Sequence, residues 1–340
     1  MTDSREYAGI DYFRVIAALL VVAIHISPLG NINETADFIL TRIIGRVAVP
    51  FFFMTSGFFI FSDSQRSENR IKNFLKKTTV LYVIAMIIYI PVNIYTGYFK
   101  TNNLLPKILK DILINGTIYH LWYLPAAILG GIVAWFLIDK MGHKRALNIG
   151  VCMYLIGLFG DSYFGVIENI PILARFYDYI FKVSNYTRNG LFFAPIFFIL
   201  GSTMRNLTAN YSRGFNFIAL LISFSLMLIE GLLLHKLELQ RHDSMYIMLV
   251  PCMFFLFRSL LSYRGNRVPA LGTGTMIVYI IHPMMIIFVR LLGKVFGLER
   301  LLVEDKLIHY VLVVMFSTIV ALVLTLWKKS RMISPAKNCQ

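Results

Sequence analysis

Charged residues are scarce in this 340-residue chain: they make up 15% of it, against an apolar share of 57% and a mean hydropathy of +0.68. So little charge does not cover the surface of a soluble globular domain, and the balance is that of a polytopic membrane protein. Cysteine is nearly missing. Cys152, Cys252 and Cys339 stand far apart, so neither a disulfide framework nor a C-x-x-C site is readable. The seven histidines, at 25, 120, 143, 235, 242, 282 and 309, show no H-E-x-x-H or Cys/His ligand spacing, and neither a metal nor a covalently bound cofactor is expected. There is no convincing strand, hence no glycine-rich phosphate loop following one, and no G-x-S-x-G elbow. No small-residue cleavage site follows the first apolar run, which reads as a retained span and not as a signal peptide.

What the chain has instead is a series of long apolar runs. Ten candidate helices fall at roughly 10–29, 43–62, 78–97, 118–138, 146–160, 189–204, 215–234, 245–262, 272–294 and 307–327. Prolines 50, 91, 125, 195, 251 and 283 lie within them, where packed neighbours or cavity water are expected to satisfy the freed carbonyls. Residues 1–340 read as a single transmembrane domain of all-α class with no internal repeat, and 328–340 as a short basic tail. With the N-terminus inside, the inner segments carry 17 Lys and Arg in 63 residues and the outer segments 11 in 83. That density ratio favours both termini inside, which also requires an even number of spans. The net charge of +15 sits in these short loops, so anionic lipid headgroups are expected as neighbours and nucleic acid is not.

Against this background the first span, GIDYFRVIAALLVVAIHIS, is costly: it carries Arg14 and His25. Their eleven-residue spacing leaves both side chains within about 20° of one helix face, roughly 16 Å apart along the axis. Ionisable groups at that depth need a cavity or a partner. In the assigned orientation Arg14 lies about one turn from the cytoplasmic face and His25 about one turn from the outer face. Asp11, at i−3, either neutralises a helix-end arginine or orients Arg14 toward an anionic ligand such as a phosphate. His25 is either a hydrogen-bonded packing residue or a base active at neutral pH. Arg46 opens the second span and either snorkels outward or faces inward. Ser56 sits in T-S-G, and Trp122 suits an interfacial belt. Glu230 faces a cavity or a basic partner such as Arg188 or Arg241, and His282 precedes a helix-kinking proline.

The segments GIDYFRVIAALLVVAIH, RVAVPFFFMTSGFFI, HLWYLPAAILGG and VYIIHPMM resemble, in order and spacing, four motifs of the acyltransferase-3 family of integral membrane proteins. YHLWYLPA, IGLFGDSYFG, YTRNGLFFAPIFFILG and LQRHDSMY are further similar to the membrane portion of VanT-type membrane-bound serine racemases. In that subgroup a cytoplasmic racemase domain follows the last span. The chain ends about 13 residues after span ten, at KKSRMISPAKNCQ, so no racemase domain and no racemase activity are expected of it. The family resemblance implies transfer of an acyl group, usually acetyl, from cytoplasmic acyl-CoA to a hydroxyl of an envelope glycan or cell-wall precursor. It assigns His25 as general base or acyl carrier and Arg14 as the contact for the donor's phosphates. Asp11, Arg46, Ser56, Trp122, Glu230 and His282 would line the cavity, in a bacterial plasma membrane. The VanT-like segments imply a rival role: serine transport, or anchoring of a separately encoded racemase in glycopeptide resistance.

Overall fold

The computed structural model describes residues 7–61, 67–204, 212–263, 265–266, 268 and 270–333, with side chains to 327. The far ends, including most of the basic tail, and residues 62–66 and 205–211, which cover parts of the predicted inner loops 63–77 and 205–214, lie outside the described residues. Every regular element among the described residues is helical. The main helices are α1 (Ala8–Ile26), α2 (Glu34–Ile60), α3 (Ser67–Ile88), α4 (Tyr123–Phe159), α5 (Pro171–Val183), α6 (Ala194–Thr203), α7 (Arg213–Lys236), α8 (Leu249–Ser262), α9 (Ala270–Phe296) and α10 (Lys306–Ile333). Six of them, α1, α2, α4, α7, α9 and α10, are long and apolar enough to cross a membrane, while α6 and α8 are apolar but shorter. α3 falls outside that set because its first half is a basic stretch, Arg70, Lys72, Lys76 and Lys77, and it turns apolar only from Val80. Large aliphatic side chains stand exposed along α7 (Ile218, Leu221, Ile222, Ile229) and α10 (Val311, Ile319, Leu322, Val323). In water such stripes would drive aggregation; against lipid tails they are the expected surface.

The sequence places six prolines inside spans, and the structure sorts them. Pro91, Pro125, Pro195 and Pro251 sit within the first three residues of their helices, where the backbone N–H has no helical acceptor to lose. They start helices and leave no carbonyl to satisfy. Pro50 follows a π turn at Ile39–Ile43 and a 3-10 turn at Ile44–Val47, which loosen α2 where the proline ring would press on the Arg46 carbonyl. Only Pro283 stands deep inside a helix, in the middle of α9.

Two compact units divide the chain. The first contains residues 1–48 and 259–340, hence α1, the start of α2, the last turn of α8, α9 and α10. Within it α1 and α9 run parallel. Val268 N–H donates to Asp11 Oδ2 at 3.3 Å, Gly272 lies under Arg14 Nη1, and the rings of His25 and His282 stack. The partners keep a constant offset of 257 or 258 residues from one end of α1 to the other. α10 runs the opposite way: the Tyr310 hydroxyl donates to the Leu19 carbonyl and Asn31 Nδ2 to the Glu304 carbonyl. Ala18, Val22, Ile26, Val278, Ile286, Val289 and Val313 fill the space between the three. Small and β-branched residues suit this seam, since helices in lipid associate through close packing and not through removal from water.

The second unit contains residues 49–258. Its decisive feature is Gly142, at φ 73° and ψ 165°, inside the 37-residue α4. Ala126 and Gly130, before it, touch Gly190 and Ala194. Gly157, after it, touches Phe192, and Gly150 touches Ile196 and Ile199. An unbroken helix would separate residues 126 and 157 by about 46 Å. Both instead lie beside residues 190–192, so α4 is a helical hairpin whose arms run antiparallel along α6, and the predicted spans at 118–138 and 146–160 are separate helices. α2 and α6 also meet in this unit, at reciprocal glycines: a Cβ on Gly57 would collide with the Phe198 backbone, and one on Gly201 with Met54. Phe53, Tyr123, Phe193, Phe197 and Phe198 pack stacked, edge-on or tilted around that crossing. One of the main helices was not foreseen. α5 lies in a segment read as an outer loop, with Ile172, Phe176, Tyr179 and Val183 forming an exposed apolar stripe at the spacing of an interfacial helix.

Candidate functional site

The first unit holds the costly pair of the opening helix. α1 ends where Pro28 disfavours a helical residue before it: Ser27 adopts a left-handed conformation and its N–H returns to Ala23. His25 therefore occupies the last turn. Near the other end Asp11 is 1% exposed, and its Oδ1 accepts from Arg14 Nη1 at 2.7 Å. The second carboxylate oxygen takes the Val268 N–H, so Asp11 ties Arg14 to the start of α9. Arg14 keeps 18% of its side chain accessible.

At the far end of the same wall, the His25 and His282 rings lie 5.2 Å apart, centroid to centroid, with 22° between their planes. His282 is fully buried, and its Nδ1 lies 2.8 Å from the Tyr279 carbonyl and 3.3 Å from that of Val278. Both neighbours are acceptors, so Nδ1 carries the proton. Arg46 also belongs to this unit. It is 8% exposed, in the 3-10 turn that packs on α1 through Gly45 and Ile24. The structure thus brings Asp11, Arg14, His25 and His282 onto one helix pair, with the Arg46 turn beside its His25 end.

Ser56, Trp122 and Glu230 lie in the second unit. The Ser56 hydroxyl donates to the Phe52 carbonyl one turn back at 2.9 Å. Trp122 carries the Arg188 guanidinium over its ring at 5.1 Å, and Arg188 also bonds Ser244 Oγ at 3.2 Å. Glu230 accepts from the Tyr163 hydroxyl at 2.8 Å, from Ile247 N–H at 2.6 Å and from Met248 N–H at 2.8 Å. Burial, and then this carboxylate, hold the Tyr163 hydroxyl well above its ordinary pKa. The Arg241 guanidinium lies instead over Phe181 at 3.4 Å; burial draws its pKa down while the charge of Asp161 opposes the shift.

Sequence reading missed Asp161. It is fully buried, and its Oδ1 accepts from Ser244 N–H, Met245 N–H and Ser162 Oγ at 2.7, 3.0 and 3.0 Å. Nothing distinguishes it in sequence from a turn aspartate after a helix, because its two backbone donors lie more than 80 residues away. Among the described residues no cluster of three or more His, Cys, Asp or Glu side chains is placed to hold a metal ion.

By sequence, this helical chain with its part-buried Asp11–Arg14 pair falls in a known class. Residues 7–326 match the acyltransferase domain family, and the chain belongs to that acyltransferase-3 family. Among curated proteins it is 47% identical, over 96% of its own length, to an amino-acid racemase of Enterococcus faecalis, and 35% identical, over 97%, to a second amino-acid racemase of that species. It is 36% identical, over 97% of its length, to a serine/alanine racemase of Enterococcus gallinarum. The matches cover 46, 47 and 48% of those proteins, so the chain spans about half the length of the curated relatives it matches. No solved structure matches it.

Proposed function

We propose that the chain is an integral membrane acyltransferase that moves an acyl group, acetyl in the simplest case, from cytoplasmic acyl-CoA to a hydroxyl of an envelope glycan, a cell-wall precursor or another exported acceptor. The observation that carries this reading is the shared wall of α1 and α9, with a tethered guanidinium at one end and a stacked imidazole at the other. Arg14, oriented by Asp11, takes the donor's phosphates. His25 removes the proton of the acceptor hydroxyl as its oxygen attacks the acyl carbon, and the thiolate of CoA leaves. The extended pantetheine arm between phosphates and thioester suits two groups separated along a helix axis. Arg46 serves the outer end, where its turn packs on α1. Ser56 and Trp122 are assigned substrate contacts in their own unit.

The membrane placement we favour is ten crossings of a bacterial plasma membrane with both termini and the 328–340 tail cytoplasmic. Two features support it. The hairpin at Gly142 makes α4 two crossings, which with α3, α6 and α8 raises six to ten. The antiparallel run of α1 and α10 requires an even number from first to last.

Transfer of labelled acetyl from acetyl-CoA in reconstituted vesicles tests the chemistry. Wild type is expected to label an acceptor extract and His25→Ala to lose at least a hundredfold; full activity in that variant defeats the mechanism. A second reading draws on the names of the relatives: an amino-acid-handling role, moving L-serine or anchoring a separate racemase. Uptake of labelled L-serine by the same vesicles, without acetyl transfer, would establish it instead.

A further inference from the structure

Among the described residues, the dipeptide His282-Pro283 occupies the one place where a helix has a proline deep in its interior. Pro283 has no N–H, so the Tyr279 carbonyl, four residues back, loses its helical donor. In a membrane span that oxygen has no water to turn to. His282 Nδ1 takes the place of the missing donor, 2.8 Å from the same carbonyl. The bond fixes both the tautomer of His282 and the rotation of its ring. On that fully buried ring lies His25, 5.2 Å away and within 22° of parallel.

We propose that His282 is the positioning residue for His25: locked by the carbonyl that Pro283 orphans, it is the platform that sets the plane of the His25 imidazole. Stacking occupies a face of the His25 ring and leaves its edge, where both nitrogens lie, for hydrogen bonds in that plane. His282 neither touches the donor nor exchanges a proton in the reaction. The proline matters because a backbone donor at 283 would compete for the Tyr279 carbonyl and release the ring. The proposal rests on His25 being the base of the acyl transfer, and its test therefore has one arm that needs no activity.

That arm is the imidazole 15N spectrum of histidine-labelled protein in nanodiscs, with His25 assigned by its loss in His25→Ala. In wild type and in His282→Phe, which keeps a flat ring in the platform, His25 is expected to show one tautomer. In His282→Leu the His25 signals are expected to broaden or to average between tautomers. An unchanged His25 spectrum in His282→Leu overturns the proposal, whatever reaction the protein performs. The kinetic arm compares acetyl transfer. His282→Leu is expected to lower kcat by ten- to a hundredfold with the donor KM within twofold. His282→Phe should recover at least a third of kcat, and Pro283→Ala, which likewise keeps a flat ring without its lock, should resemble His282→Phe. Wild-type kcat in His282→Leu, or equal damage in His282→Phe and His282→Leu, overturns it. Absence of transfer in wild type with the expected spectra would refute the acyltransferase reading and leave the platform standing.

Discussion

Glu230 was a candidate for the substrate cavity on sequence, and its surroundings predict a different consequence of losing it. Its carboxylate gathers the Tyr163 hydroxyl and two successive N–H groups, Ile247 and Met248, so it pins the segment that precedes α8 to the end of α7. Hydrogen bonds to a charged acceptor contribute roughly 1.5–3 kcal/mol each where solvent is excluded. The Ile247 contact is exposed, and water replaces it at little cost. The Tyr163 and Met248 contacts are partly buried, so Glu230→Ala is expected to cost about 2–4 kcal/mol. Glu230→Gln keeps one acceptor oxygen and should lose about half of that. For a unit of this size the alanine change corresponds to a fall in Tm of about 10 °C. Thermal unfolding in detergent, with hydrogen exchange read at 245–250, is the assay. The expected result is a lower Tm and faster exchange at those amides, with transfer per folded molecule held within threefold. A Glu230→Ala protein with an unchanged Tm and abolished transfer would refute the reasoning and return Glu230 to the reacting centre.

Other expectations follow from single positions. Arg14→Gln should raise the donor KM at least tenfold in the vesicle assay while leaving kcat at saturating donor within threefold; an unchanged KM would remove Arg14 from the donor site. Gly201→Val should cost at least 2 kcal/mol, because its Cβ would collide with the Met54 backbone, and a variant of wild-type Tm would contradict the crossing of α2 and α6. Gly142→Ala meets no atom within 4 Å but must adopt φ near 73° and ψ near 165°, a region essentially confined to glycine, so it should cost about 1–3 kcal/mol, read as a loss of Tm.

What sequence could reveal here follows from how local each determinant is. Apolar runs and loop charges depend on a window of residues, and most helices stand close to where those windows put them; α9 spans Ala270–Phe296 against a predicted 272–294, while α3, Ser67–Ile88 against a predicted 78–97, begins earlier because its basic first half is invisible to an apolar window. The eleven-residue spacing of Arg14 and His25 was also a local fact, and both residues meet α9, at Gly272 and His282. α5 escaped because its stripe of Ile172, Phe176, Tyr179 and Val183 is amphipathic and too short for a span-length window. The knot at Asp161 escaped because its energy comes from partners that only the fold brings near. The prolines teach a narrower point. Hydropathy sees them all as interruptions of apolar runs, yet helix starts need no donor, so four of the six carry no strain and only a helix boundary can tell them apart. Pro283 is the exception, and its cost is offset by the side chain immediately before it. A histidine beside a mid-helix proline is thus readable in sequence as a structural repair. That the repaired ring also faces His25 is not readable, because it depends on the parallel register of two helices that lie more than 240 residues apart in the chain.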